Sequence, residues 1–279
     1  MRTRIRVLFA AVLFALFLHT TTALADSIQL IPYLATNIHE KNPNNNDGSG
    51  IWVRVGRARH GPQGEEGIYG TIRGVLAFDL AGLVPVGSFI TSASLELTVM
   101  DSGISLGTDG PGSPGIVELH QIPSTQLMIE GTHIVNFIQS SASDGVTWNE
   151  VRPGVSWTSP GGDFLPAVLS STDTPVIGFG VQPFTITFPS TSHFVGVVQS
   201  ALDGSSPLQL LLRSLSQEAE TSSVQNFYRF ASDDDPNPAF YPNLTITYTT
   251  VSEPGNGTLL CVGLAALCVW FRRRTLIAF

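Results

Sequence analysis

SASLELTV, residues 92–99, places Ala93, Leu95, Leu97 and Val99 on one side of an extended chain and Ser94, Glu96 and Thr98 on the other. Successive side chains of a strand point to opposite faces, so a period of two predicts a strand with one face buried and one in water. A helix would scatter the same residues around its circumference. The rhythm recurs in Ile51, Val53 and Val55, with Trp52 and Arg54 facing the other way, in Phe184, Ile186 and Phe188 with threonines between, and in Leu244, Ile246 and Tyr248. Three runs, Val75–Phe78, Val176–Val181 and Leu208–Leu212, are apolar throughout and suit central strands covered on both faces. Two opposed sheets account for both kinds, and the sequence therefore predicts an all-β sandwich in one domain.

The connections agree. Segments 42–50, 58–67, 101–115 and 233–238 are rich in Gly, Pro, Asn and Asp, which tolerate turn geometry or bond back to their own backbone. They are expected to be loops at the ends of the sandwich. One segment breaks the alternation: Phe194, Val197, Val198 and Ala201 fall at i, i+3, i+4 and i+7. That spacing predicts one short amphipathic helix, with Ser192 as N-cap and Gly204 near its stop, lidding one end.

The two ends of the 279-residue chain read differently from its middle. Arg2, Arg4 and Arg6 precede an apolar run, Val7–Leu18, and then Ala23-Leu24-Ala25. This is the three-part layout of a secretory signal occupying 1–25, with cleavage expected between Ala25 and Asp26 by signal peptidase. Both cysteines, Cys261 and Cys268, lie in the C-terminal apolar run, which leaves residues 26–250 without a disulfide. The formal charge of −8 becomes −13 on residues 26–252 once the six arginines and one acid of the two ends are set aside. So acidic a body, with Lys41 as its only lysine, is a poor partner for nucleic acid or an anionic lipid surface.

Several segments together resemble a known family. RGVLAFDL (73–80), FITSASLELTV (89–99), VTWNEVRPGVSWTSPGGDF (146–164) and FYRFASDDDPNPAFYPNLTITY (227–248) follow one another as in the DNRLRE domain, a disaggregatase-related module also treated as carbohydrate-binding. The resemblance spans about residues 26–250 and is carried by the order of the segments. It implies an antiparallel jelly-roll-like sandwich in a secreted or cell-surface protein, with no catalysis of its own. Where the family has Ser-Arg-Glu this chain has Ser232-Asp233-Asp234, so the role of the Arg-Glu pair does not transfer.

Residues 251–279 resemble a PEP-CTERM sorting signal. Val251, Glu253, Pro254 and Gly255 match its motif, Thr258–Phe271 its apolar span, and Arg272, Arg273 and Arg274 its basic cluster, with Ser252 where proline is usual. The resemblance implies processing by exosortase. As a helix the 14 residues of the span would cover about 21 Å against a bilayer core of about 30 Å, which favours a transient transmembrane sorting helix over a permanent anchor. Arginines retained inside would leave the body outside the membrane, at the cell envelope, surface or extracellular matrix.

The chemistry-bearing residues suggest binding more than reaction. No HExxH, nucleophile elbow or phosphate loop is present. Asp79, Glu96, Glu118, Glu150 and Asp163 could serve a glycoside hydrolase, but nothing in sequence pairs them, and Asp79 reads as a turn cap. No catalytic residue and no cofactor are assigned. Asp233 and Asp235 are candidate ligands of a structural calcium, against the alternative of a solvated turn. Apolar sugar faces stack on aromatic rings, so Trp52, with Arg54 and Tyr69, is the candidate sugar contact, while Trp148 is expected to fill the core or pin a loop. The expectation is an exported, non-enzymatic protein associated with extracellular polysaccharide. The rivals are a polysaccharide lyase or hydrolase and a passive surface protein.

Overall fold

The computed structural model describes residues 25–59, 69–102, 115–133, 144–175, 183–219 and 226–250. By internal contacts the chain divides into a compact unit, Asp26–Tyr248, and a second unit of Met1–Ala25 with Thr249–Phe279, nearly all of which lies outside the described residues.

Thirteen strands are described: β1 Ala25–Leu30, β2 Leu34–His39, β3 Trp52–Arg59, β4 Tyr69–Phe78, β5 Phe89–Ser102, β6 Ile116–Gln121, β7 Glu150–Arg152, β8 Val155–Ser156, β9 Val168–Asp173, β10 Phe184–Phe188, β11 Leu208–Ser214, β12 Asn226–Ala231 and β13 Asn243–Thr249. Two short helices, α1 Ser192–Asp203 and α2 Leu215–Glu218, and a 3-10 turn at Pro238–Phe240 complete the set. Eleven strands form one sheet in the order β1-β13-β5-β12-β3-β4-β11-β6-β9, with β10 added to β5 and β2 to β4, while β7 and β8 form a small hairpin. The defined registers are antiparallel.

The alternation of β5 is realised as read: Ala93, Leu95, Leu97 and Val99 are buried and Ser94 and Glu96 half-buried. At 14 residues β5 is long enough to take different partners along its length, and Val99 meets Phe184 of β10 and Phe230 of β12. Inward side chains from strands across the whole order, including Leu76 and Phe78, Leu95 and Leu97, Leu210 and Leu212, and Leu244 and Ile246, join one apolar cluster. The sheet therefore curls around a common core. Phe78, Phe188, Phe194 and Phe230 are fully buried there, each contributing about 1.5–3 kcal/mol.

The continuous runs also behave as expected where they are described. Val75, Ala77 and Leu211 face away from that core into a second cluster, closed by Ile122, Met128, Val146, Val151 and Trp157. Residues 122–128 and 146–164 thus supply the cover of the outer face of β4 and β11. The run Val176–Val181 lies outside the described residues. The helix begins one residue earlier than read: the cap is Thr191, whose Oγ1 accepts from Phe194 N at 3.1 Å, and the buried stripe is Phe194, Val198, Ala201 and Leu202. A hydroxyl two or three residues ahead of a free N–H is what a cap needs, and Thr191 supplies it in place of the expected Ser192.

Candidate functional site

Two polar assemblies and one acidic cluster fasten loops to this sheet. The first centres on Arg73, which stands in β4 just ahead of its apolar run. Leu212 faces Gly74 across the β4–β11 ladder, so Arg213 and Arg73 follow as neighbours of like charge. Glu218, on the helix that begins directly after β11, resolves the conflict. Its two oxygens accept from Arg73 Nε at 2.7 Å and Nη2 at 2.9 Å, and Oε2 also accepts from Arg213. Arg73 Nη1 donates to Gly161 O at 2.6 Å, and its guanidinium lies 5.1 Å from the Trp148 ring and 5.2 Å from the Phe164 ring. Such a fork uses planar charge, donors and stacking together.

The Gly-Gly-Asp segment follows from this packing. Gly161 and Gly162 have φ of +97° and +95°, and a Cβ at Gly161 would stand 2.8 Å from Arg73 Nη1 and from the Trp148 ring. Asp163 then accepts from Thr158 N at 2.7 Å, Ser159 N at 2.9 Å and Gln126 Nε2 at 2.6 Å. Burial opposes ionisation of Asp163, but these donors outweigh it and hold its pKa below the ordinary value. Trp157 Nε1 donates to Thr147 O at 2.9 Å, and Trp148 packs on the outer cluster, so both tryptophans pin the covering segment.

The second assembly centres on Asp47. Its Oδ2 accepts from Asn37 Nδ2 at 2.7 Å and Arg54 Nη1 at 3.2 Å, with His39 Nε2 at 3.9 Å. Burial, helped by the Arg54 charge, holds the His39 pKa below its ordinary value against the pull of Asp47. Asn46 Nδ2 donates to Glu130 O at 2.5 Å and Val146 O at 3.0 Å, which folds segment 42–50 back over the sheet. Instead of a solvated connection, this loop has Asn46 and Asp47 in its buried heart.

Trp52 borders this assembly and is half-buried. The Arg229 guanidinium, opposite Arg54 in the β3–β12 register, lies 4.7 Å from its ring, and that of Arg54 lies 5.5 Å away. Arg54 itself is 7% exposed and ties Asp47 to the sheet. Tyr69 opens β4, its side chain outside the described residues.

The acidic cluster joins Glu130 to the turn after β12. Glu130 Oε1 accepts from Ala35 N at 2.8 Å, yet burial and the charges of Asp233 and Asp234 push its pKa up to about 8. Burial and the Asp234 charge push Asp233 up to about 6, and its Oδ1 is buried without a partner. Asp235 instead closes its own turn, accepting from Asn237 N at 2.8 Å. Among the described residues no group of three His, Cys, Asp or Glu side chains is placed to hold a metal ion.

Of the other acids, Asp79 accepts from Ala81 N at 2.9 Å, the turn cap it was read as, and Glu118 meets His120 Nε2 at 3.2 Å. Glu96 and Glu150 are half-buried on β5 and β7. Ala25 and Asp26 open β1, exposed. The sorting residues Val251, Glu253, Pro254, Gly255 and Arg272–Arg274 lie outside the described residues, among which no helix is long and apolar enough to cross a membrane. Sequence reasoning missed Arg73, Arg213, Glu218, Glu130 and Arg229. An arginine inside an apolar strand was the one available signal, and it pointed to Arg73 alone. No protein-family model matches the chain, and no curated protein matches it.

Proposed function

We propose that this protein is an exported, non-enzymatic β-sandwich of jelly-roll-like, DNRLRE-like design that associates with extracellular polysaccharide at the cell surface or matrix. Signal peptidase would release residues 26 onward, and the PEP-CTERM-like tail would hold the chain in the membrane for exosortase. The observation that carries the binding reading is Trp52: a half-buried indole on β3 with the Arg229 and Arg54 guanidiniums against its ring. A partly exposed indole suits the C–H face of a sugar ring, and the Arg229 guanidinium beside it would donate to the sugar's oxygens, whereas Arg54 is committed to Asp47. A panel of exopolysaccharides tests it. Retention of the intact chain that is lost in Trp52→Ala supports the reading, and no retention on any glycan overturns it.

One observation favours a second reading, a polysaccharide-cleaving enzyme. Glu130 beside Asp233 is a pair of carboxyl groups with raised pKa values, the property a general acid needs. Release of oligosaccharide by the protein, abolished in Glu130→Gln while retention persists, would establish this reading. Absence of release from glycans that are retained would remove it.

A further inference from the structure

The loop between β4 and β5, together with the first residue of β5, leaves three apolar side chains in solvent. Val86 is 91% exposed, Phe89 61% and Leu83 50%. Between them Leu80, Val84 and Ile90 are buried, so the loop is anchored in the core and turned outward by design of its own sequence. Gln199 of α1 braces its base: Oε1 accepts from Ile90 N at 2.8 Å and Nε2 donates to Ser88 O at 3.1 Å. An apolar tip held in place has already met the ordering cost that a floppy one would meet on binding.

Its place in the fold says what it meets. Thr91 Oγ1 donates to Thr247 O at 3.1 Å, and Tyr248 OH donates to Asp26 Oδ2 at 3.4 Å. The last strand of the described body thus ends beside the first residues of β5, next to the tip. Thr258, where the apolar run begins, follows Tyr248 by only ten residues, a reach of at most about 35 Å. A chain tethered to a bilayer through that run would hold this end of the body within that reach of the lipid surface.

We propose that Leu83, Val86 and Phe89 form a membrane-contact tip that inserts into the interface of a lipid bilayer. The proposal rests on the reading of residues 258–271 as a membrane segment. Three side chains on one loop cannot supply the roughly 800 Å² per partner of a stable protein interface, which sets aside a second copy as the occupant. They suffice beside a tether, where the effective concentration of lipid is high. The chain has no Lys or Arg from 74 to 151, and Asp79 and Asp26 lie near the tip's two flanks, so the lipid is neutral or zwitterionic rather than anionic.

Tryptophan quenching by phosphatidylcholine brominated on its acyl chains tests this with the full chain in vesicles. Trp270, inside the apolar run, reports the tether, and Val86→Trp made in a Trp270→Phe background reports the tip. The expected result is quenching of Trp270 in the parent and an added emission from the Val86→Trp variant that falls at least twofold on bromination. Quenched Trp270 with an unquenched Val86→Trp signal overturns the tip contact and leaves the tether standing. If neither is quenched, both fall. The exposure of these positions makes Leu83→Ser and Phe89→Ser safe for folding, and adding both to the Val86→Trp variant should remove its blue shift in vesicles.

Discussion

Two charged junctions hold covering segments on the same sheet, and they are built in opposite ways. At Arg73, Glu218 and Arg213 the signs alternate, every Arg73 nitrogen has an acceptor, and aromatic rings close the sides. At Glu130 and Asp233 the two charges have the same sign, one Asp233 oxygen has no partner, and both pKa values rise. The first junction is a lock whose opposite charges satisfy one another, although Arg213 Nε is buried without a hydrogen-bond partner. The second keeps a proton on Glu130 through neutral pH, because burial first and the Asp233 charge second oppose its ionisation. Burial alone does not distinguish them; the sign pattern does.

Breaking the lock has the largest expected effect. Glu218→Ala leaves two adjoining guanidiniums, 13% and 16% exposed, without their anion, and should cost about 3 kcal/mol in urea unfolding. Gly161→Ala attacks the same lock through the backbone, forcing a Cβ against Arg73 and Trp148 at positive φ, for a loss of about 1–3 kcal/mol. If either loss is below about 0.5 kcal/mol, the junction is ornamental.

The acidic junction should respond with the opposite sign. Because the folded pKa of Glu130 lies above its unfolded value, the folded state binds the extra proton, and stability falls as pH rises from about 4.5 to about 8. Glu130→Gln removes that dependence and still accepts from Ala35 N. The variant should match the parent near pH 4.5 and unfold at a higher temperature than the parent at pH 8. His39, with its lowered pKa, works the other way below pH 6.5, so the clean window is pH 6.5 to 8. An equal midpoint for the two proteins at pH 8 contradicts the raised pKa of Glu130. The smallest stability effect belongs to Trp52→Ala, expected near 1 kcal/mol because the ring is only half-buried, which keeps it usable as a binding probe.

The comparison also marks what could be read in the sequence. Strand faces were legible because alternation is local: Leu95, Leu97, Ile246 and Phe188 are buried where period two puts them. The doubly covered character of β4 and β11 was legible for the same reason. The junctions were not, because each is assembled across the register. Glu218 meets Arg73 from 145 positions away, and Asn46 bonds Val146 across 100. Composition misled at segment 42–50, whose turn-forming residues are also good hydrogen-bonding residues and are used for burial. At the site, Trp52 was legible by its outward parity, whereas Arg229 came to it only through the β3–β12 pairing.

Retention of the intact chain on immobilised neutral and acidic exopolysaccharides, measured beside Trp52→Ala and Glu130→Gln, tests the central claim most directly. The account predicts retention on at least one glycan, reduced at least tenfold by Trp52→Ala, unchanged by Glu130→Gln, and with no oligosaccharide released. Retention indifferent to Trp52, or release that depends on Glu130, contradicts it.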